Sequence, residues 1–264
     1  MAAVIATVLR HEARNLLRNR GVIAFGAFQL VVTESVLRLS GSAPRALSAL
    51  LNLVLLVVPL ITTVYGVISW HASREFNELL LAQPVHRRSL FAALYLGLVL
   101  PLAAAFVIGL LTPFIVHRAV TSDAAPLLVT MLAAGVGLTF VFGGLALLVG
   151  VHIDDRLRGV AVALAVWLAL TVAYDGLVLL VATTLADYPL ERPMLALTLL
   201  NPVDLARAMI VMRSDAAALM GYTGAVMHRF LGSGLGTVAA VGGLLAWIVV
   251  PAWAGRRAFE HRDF

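Results

Sequence analysis

The chain has 264 residues, of which 61% are hydrophobic and 12% charged, with a formal net charge of +5. A soluble domain of this size carries about 25% charged residues, so composition excludes an ordinary soluble fold and points to an all-α polytopic membrane protein. Cysteine is absent and all 19 basic residues are arginine, which removes disulfides, thiolate metal sites and any Gly-x-x-x-x-Gly-Lys phosphate loop. The lack of lysine reads as coding bias, and the basic surplus fits arginine-rich cytoplasmic loops rather than nucleic-acid binding.

Residues 2–20 have the pattern of an interfacial helix. Val4, Ile5, Val8, Leu9, Ala13, Leu16 and Leu17 recur on one face, with Arg10, Arg14 and Arg18 at four-residue spacing on another. His11-Glu12 begins like a zinc His-Glu-x-x-His motif, but position 15 is Asn, so that reading fails. No short apolar core with a small-residue cleavage site follows, so no cleavable signal peptide is expected.

Six apolar runs are long enough to cross the hydrocarbon core, at about 21–39, 46–70, 90–116, 126–151, 159–185 and 235–254. The first contains Gln29 and Glu34, and Glu34 is near enough to its end to reach the interface. Pro59 lies in the second, Pro101 and Pro113 in the third, and the fourth carries Gly135, Gly137, Gly143 and Gly144, which allow close helix approach. Asp175 sits near the middle of the fifth. A carboxylate there must face the bundle interior, a cavity or a partner subunit, or be protonated.

The polar interruptions carry the functional candidates. Between spans two and three, segment 71–88 alternates charged and apolar residues with helical spacing, with Phe76, Leu79 and Leu80 on one side, until Pro84 breaks it. It reads as a short amphipathic helix at a membrane surface. In loop 152–158, His152, Asp154 and Asp155 could be metal ligands, but adjacent carboxylates before a helix are read as N-terminal caps. Segment 186–234 is expected to be too polar to span. Asn201-Pro202-Val203-Asp204 is a strong helix start, with Asn as cap, Pro at the first helical position and a carboxylate three residues after the cap. A further amphipathic piece is expected over 216–231. Met209, Met212 and His228 are soft or imidazole donors suited to monovalent copper, although Met209-x-x-Met212 is also ordinary packing spacing.

Six spans put both termini on one side. If that side is cytoplasmic, its segments hold 12 of the 19 arginines, which supports N-in, C-in. The whole chain, 1–264, reads as a single transmembrane domain with an interfacial helix (2–20), a cytoplasmic segment (71–88) and an external segment (186–234). Without a phosphate loop or a Gly-x-Ser-x-Gly motif, nothing marks an enzyme.

Arg74-Glu75-Phe76-Asn77-Glu78-Leu79-Leu80-Leu81-Ala82-Gln83-Pro84-Val85-His86-Arg87 resembles the coupling-helix pattern of type-2 ABC exporter permeases, Arg-Glu-x-x-x-x-Glu-Leu-Leu-Leu-x-x-Pro-x-x-Arg, with a shorter glutamate spacing. The resemblance implies that Arg74, Glu75, Phe76, Glu78, Leu79, Leu80, Pro84 and Arg87 contact a separate cytoplasmic ATPase, which binds ATP and Mg. Val166-Trp167, Ala173-Tyr174-Asp175-Gly176-Leu177-Val178-Leu179-Leu180, and Leu199-Leu200-Asn201-Pro202-Val203-Asp204-Leu205-Ala206-Arg207 are similar to the NosY-type permeases of nitrous oxide reductase copper-site maturation. That likeness implies a homodimer in the bacterial inner membrane. It also implies a periplasmic β-helical, copper-handling partner docked near Asn201, Pro202, Asp204 and Arg207, copper handled by the complex, and no cofactor bound by this chain. Two other readings stand beside it: a general type-2 exporter of a lipid, drug or polysaccharide, and a membrane scaffold without a transport cycle.

Overall fold

A computed structural model describes residues 19–74, 86–184, 191–213 and 234–261. Residues 2–18 of the interfacial helix expected over 2–20, the expected coupling residues Glu75, Phe76, Glu78, Leu79, Leu80 and Pro84, the piece at 216–231, His228 and Arg262 lie outside them. The described residues are helical, with no strand, and six helices are long and apolar enough to cross a membrane.

Helix α1 (Arg20–Ser40) starts at Asn19, whose side chain accepts the Gly21 amide, and stops at Gly41 in the left-handed region, φ 67°. That conformation is free to glycine and lets the chain reverse at once into α2 (Ala43–Ala72), with Pro44 in its first turn. Helix α3 (Arg87–Val116) follows the 75–85 segment, and α4 (Ala125–His152) follows the short loop after His117. The fifth span is composite: α5 (Arg156–Leu168), a π-helical turn (Ala169–Ala173) and α6 (Tyr174–Thr184). Helices α7 (Glu191–Leu200) and α8 (Pro202–Val211) form a bent pair, and α9 (Gly234–His261) is the last span. It continues past the expected end at 254, because Arg256, Arg257 and Glu260 remain helical at the bundle's end.

Helix α4 is the hub and packs against α2, α3, α5, α8 and α9. Its glycines make this possible. A Cβ on Gly135 would come 2.4 Å from the Phe106 ring, on Gly143 2.3 Å from Val99 Cγ1, on Gly137 2.7 Å from Leu244 Cδ2, and on Gly144 3.2 Å from the Ala252 main chain. In lipid, association rests on close van der Waals fit rather than on a hydrophobic drive between helices, so small residues set the approach.

The segment 186–234 differs from expectation over 193–211. Pro193–Leu200 and Pro202–Val211 together are long and apolar enough to count as a span, but they bend by 112° at Asn201. The amphipathic pattern of α8 is present, yet its apolar face does not lie open. Val203, Leu205, Ala206 and Ile210 are buried, and α4 and α9 cover them. Local polarity hid this, because the apolar stripe of a ten-residue helix is short and Asp204 and Arg207 interrupt it.

Contacts place the start of α1, the end of α2, the starts of α3 and α5 and the ends of α4 and α9 together at one end of the bundle. Asn19 meets Tyr65, Trp70 meets Phe259, Gly159 meets His71, and Arg87 meets Glu260. Both ends of the described chain therefore lie at the end that carries segment 71–88.

Gly143→Val should lower the detergent-solubilised melting temperature by the equivalent of about 1–3 kcal/mol, because it overpacks the α3–α4 contact. Gly242→Ala, with nothing within 4 Å of its added Cβ, should leave it unchanged or raise it. Equal melting of the two variants would contradict the hub packing.

Candidate functional site

Two of the places where polar groups gather in the apolar bundle hold most of the candidate residues. The first joins the fifth span to the bent pair and is built around Asn201, which is fully buried. Its side-chain oxygen accepts the amides of Val203 (2.8 Å) and Asp204 (3.4 Å), and its Nδ2 donates to the Leu170 carbonyl at 2.7 Å. The helix start read from the sequence is therefore real, and the same amide has a second task. Leu170 lies in the π turn, where the i→i−4 ladder is interrupted and carbonyls need other partners. One side chain thus caps α8 and satisfies the irregular turn of the fifth span.

One turn further on in each element stand the charges. Arg207 forms a bidentate pair with Asp175, Nη1 to Oδ1 at 2.7 Å and Nη2 to Oδ2 at 3.0 Å, and Nη1 also reaches Asp204 Oδ1 at 2.8 Å. A planar guanidinium matches a carboxylate in this fork geometry, and such charge-assisted pairs are among the stronger hydrogen bonds. The Tyr174 hydroxyl donates to the Leu197 carbonyl at 2.9 Å, a further tie between α6 and α7. Asp175 is not enclosed by its own chain: its side chain is 45% exposed, Arg207 32% and Asp204 12%. No residue of α6 is buried.

These positions bring together five of the residues singled out in the sequence. Asp175 meets its counter-charge on α8. Arg207 and Asp204, expected to face a docked partner, hold this pair, while Asn201 and Pro202 are buried and serve the fold. Met209 and Met212 pack against the hydrophobic core. No group of three or more His, Asp or Glu side chains suited to a metal occurs among the described residues. Sequence reading missed the Asp175–Arg207 pair, whose partners are 32 positions apart. The available signal was that each is an opposite charge in an otherwise apolar stretch.

The second place is the 71–88 end. Arg74 pairs with Asp154 at 2.9 Å across the loop between α4 and α5. Asp155 beside it accepts the Arg158 amide at 2.7 Å, so it is the cap expected from its position. The His71 ring bridges the carbonyls of Val67 (2.8 Å) and Ile153 (3.0 Å). Arg87 donates to the Glu260 carbonyl at 2.9 Å, and Arg88 pairs with the Glu260 carboxylate at 3.2 Å. The flanks of the 75–85 segment are thus tied to two different places, the α4–α5 loop and the end of α9. At the opposite end, Glu34 pairs with Arg38 and with His117 at 2.8 Å.

Asn201→Asp keeps the cap but turns an N–H donor at Leu170 into an acceptor, so it should destabilise the protein by about 1–3 kcal/mol. Asn201→Ser, which offers a donor as well as a capping oxygen, should cost less. Thermal unfolding in detergent ranks the two, and the reverse order would contradict the double role.

Among curated proteins, none matches the chain. Residues 74–264 match the family described as ABC-2 family transporter protein, a stretch that runs from Arg74 through the joint at Asn201 to the end of α9. This apolar bundle, with its two polar joints, belongs to the ABC-2 family of transporter proteins.

Proposed function

We propose that the chain is the permease subunit of an ABC exporter of the NosY type, which passes the stroke of a separate cytoplasmic ATPase to a periplasmic partner in copper-site assembly of nitrous oxide reductase. The observation that carries the finer reading is the joint at Asn201. The stretches similar to NosY-type permeases, 173–180 and 199–207, are the ones that meet there through Asp175 and Arg207. The general exporter reading shares the family and the layout.

Segment 71–88 is the input, with Arg74 and Arg87 flanking the residues that would rest on the ATPase. ATP and Mg belong to that subunit. Copper is handled by the complex, outside this chain's own side chains, and Met209 and Met212 act as packing residues. The end carrying segment 71–88 faces the cytoplasm, in accord with its excess of arginine, and the bent pair lies on the periplasmic half. A second copy covers the α5–α6 face. Ion-paired charges inside a membrane are placed toward protein or a water-filled cavity rather than lipid, and Asp175 with Arg207 stands on that face.

Glu75→Ala with Glu78→Ala should lower permease-stimulated ATP turnover about fivefold or more while the complex still copurifies. Unchanged coupled turnover in reconstituted complex counts against the coupling role. Purification from native membranes should bring down an ATPase and a β-helical periplasmic protein, and a lipid- or polysaccharide-handling partner in its place would favour the general exporter. Replacing Met209 and Met212 together with Leu should leave copper loading of nitrous oxide reductase intact, and a loss would assign them to the metal.

A further inference from the structure

Two buried aromatic side chains flank the 75–85 segment in sequence. Trp70 lies in the last turn of α2 and Phe91 near the start of α3. Both touch one residue from the far end of the chain, Phe259, which is fully buried. Its ring stands 5.9 Å from Trp70, edge-on at 80°, and 5.8 Å from Phe91, tilted at 46°. Glycines make room for the rings: a Cβ on Gly150 would lie 2.6 Å from Trp70 Cδ1, and one on Gly255 3.0 Å from Phe91 Cζ.

The next residue is held by charge. Glu260 Oε1 lies 3.2 Å from Arg88 Nε and 3.3 Å from Arg256 Nε. The last carbonyls of a helix lack partners within it and favour a nearby cation. Arg87 supplies both to α9 by donating to the Glu260 carbonyl, so the start of α3 caps the end of α9. Exposed ion pairs hold weakly, whereas an aromatic ring packed on both sides cannot be displaced without moving its neighbours. From here α9 runs along α4 to Gly243, where a Cβ would lie 3.0 Å from Leu205 Cδ2 of α8.

We infer that the last turn of α9, Phe259 with Glu260, receives the movement of the coupling segment and that α9 carries it to the bent pair. Phe259 and Glu260 are positioning residues for ATP-coupled turnover, acting through α2 and α3 without touching the ATPase. The inference rests on the reading of segment 71–88 as the ATPase contact.

The test uses the complete permease–ATPase complex reconstituted in lipid, with Phe259→Leu, Glu260→Gln, Glu260→Asp and the double variant Glu75→Ala, Glu78→Ala. Phe259→Leu and Glu260→Gln should each leave ATPase copurification and KM for ATP unchanged and lower the permease-stimulated kcat about fivefold or more. Glu260→Asp, which keeps the charge, should retain most of the stimulation. Phe259→Leu added to the Glu75, Glu78 variant should cost little further, because residues in series are non-additive. If Phe259→Leu fails to assemble, Glu260→Gln and its Asp rescue decide the matter alone. Full stimulation in the Phe259 and Glu260 variants, or multiplicative losses, beside a defective Glu75, Glu78 variant would overturn this inference and leave the coupling role standing. Full stimulation in all of them would remove both.

Discussion

The rest of the structure depends on how closely other helices approach α4. A bundle in lipid gains nothing from hiding one apolar surface against another, so its helices must fit to within side-chain contact. Gly135 and Gly143 admit α3, and Gly137 and Gly144 admit α9. With α2 along another side, α4 becomes the one element against which the 71–88 end and the bent pair are both measured.

Polar groups then appear where the regular helices cannot close. The bend at Asn201 exposes amide donors at the start of α8, and the π turn leaves a carbonyl at Leu170. Without water, each would cost several kcal/mol if left unpaired. The Asn201 amide settles both at once, and Arg207 brings the counter-charge that lets Asp175 remain in the fifth span. The joint is the condition on which an irregular span and a bent helix pair can share one hydrophobic bundle.

Some of this was legible before any coordinates. Hydropathy located all six spans, because crossing the bilayer is a demand on continuous sequence. The caps at Asp155 and Asn201 were legible for a similar reason, since a cap bonds an amide two or three residues away. The Asp175–Arg207 and Arg74–Asp154 pairs were not legible. Each joins residues far apart in sequence, and a single chain without pairing information does not say which opposite charges meet. The burial of α8 was missed because polarity was averaged over segment 186–234, while α8 itself buries seven of its ten residues. The end of α9 was placed too early because its arginines read as a tail, when they continue a helix whose Phe259 is buried.

The π turn at Ala169–Ala173 has a mechanical meaning. Such a turn holds one more residue than the α-helix around it. Were it ironed into regular α geometry, everything beyond it would advance by about one residue, a rotation of about 100° and a rise of about 1.5 Å. Asp175 would swing off Arg207 and onto another side of the span. The amide of Asn201 on the Leu170 carbonyl and the fork of Arg207 on Asp175 therefore fit only the phase that the π turn sets.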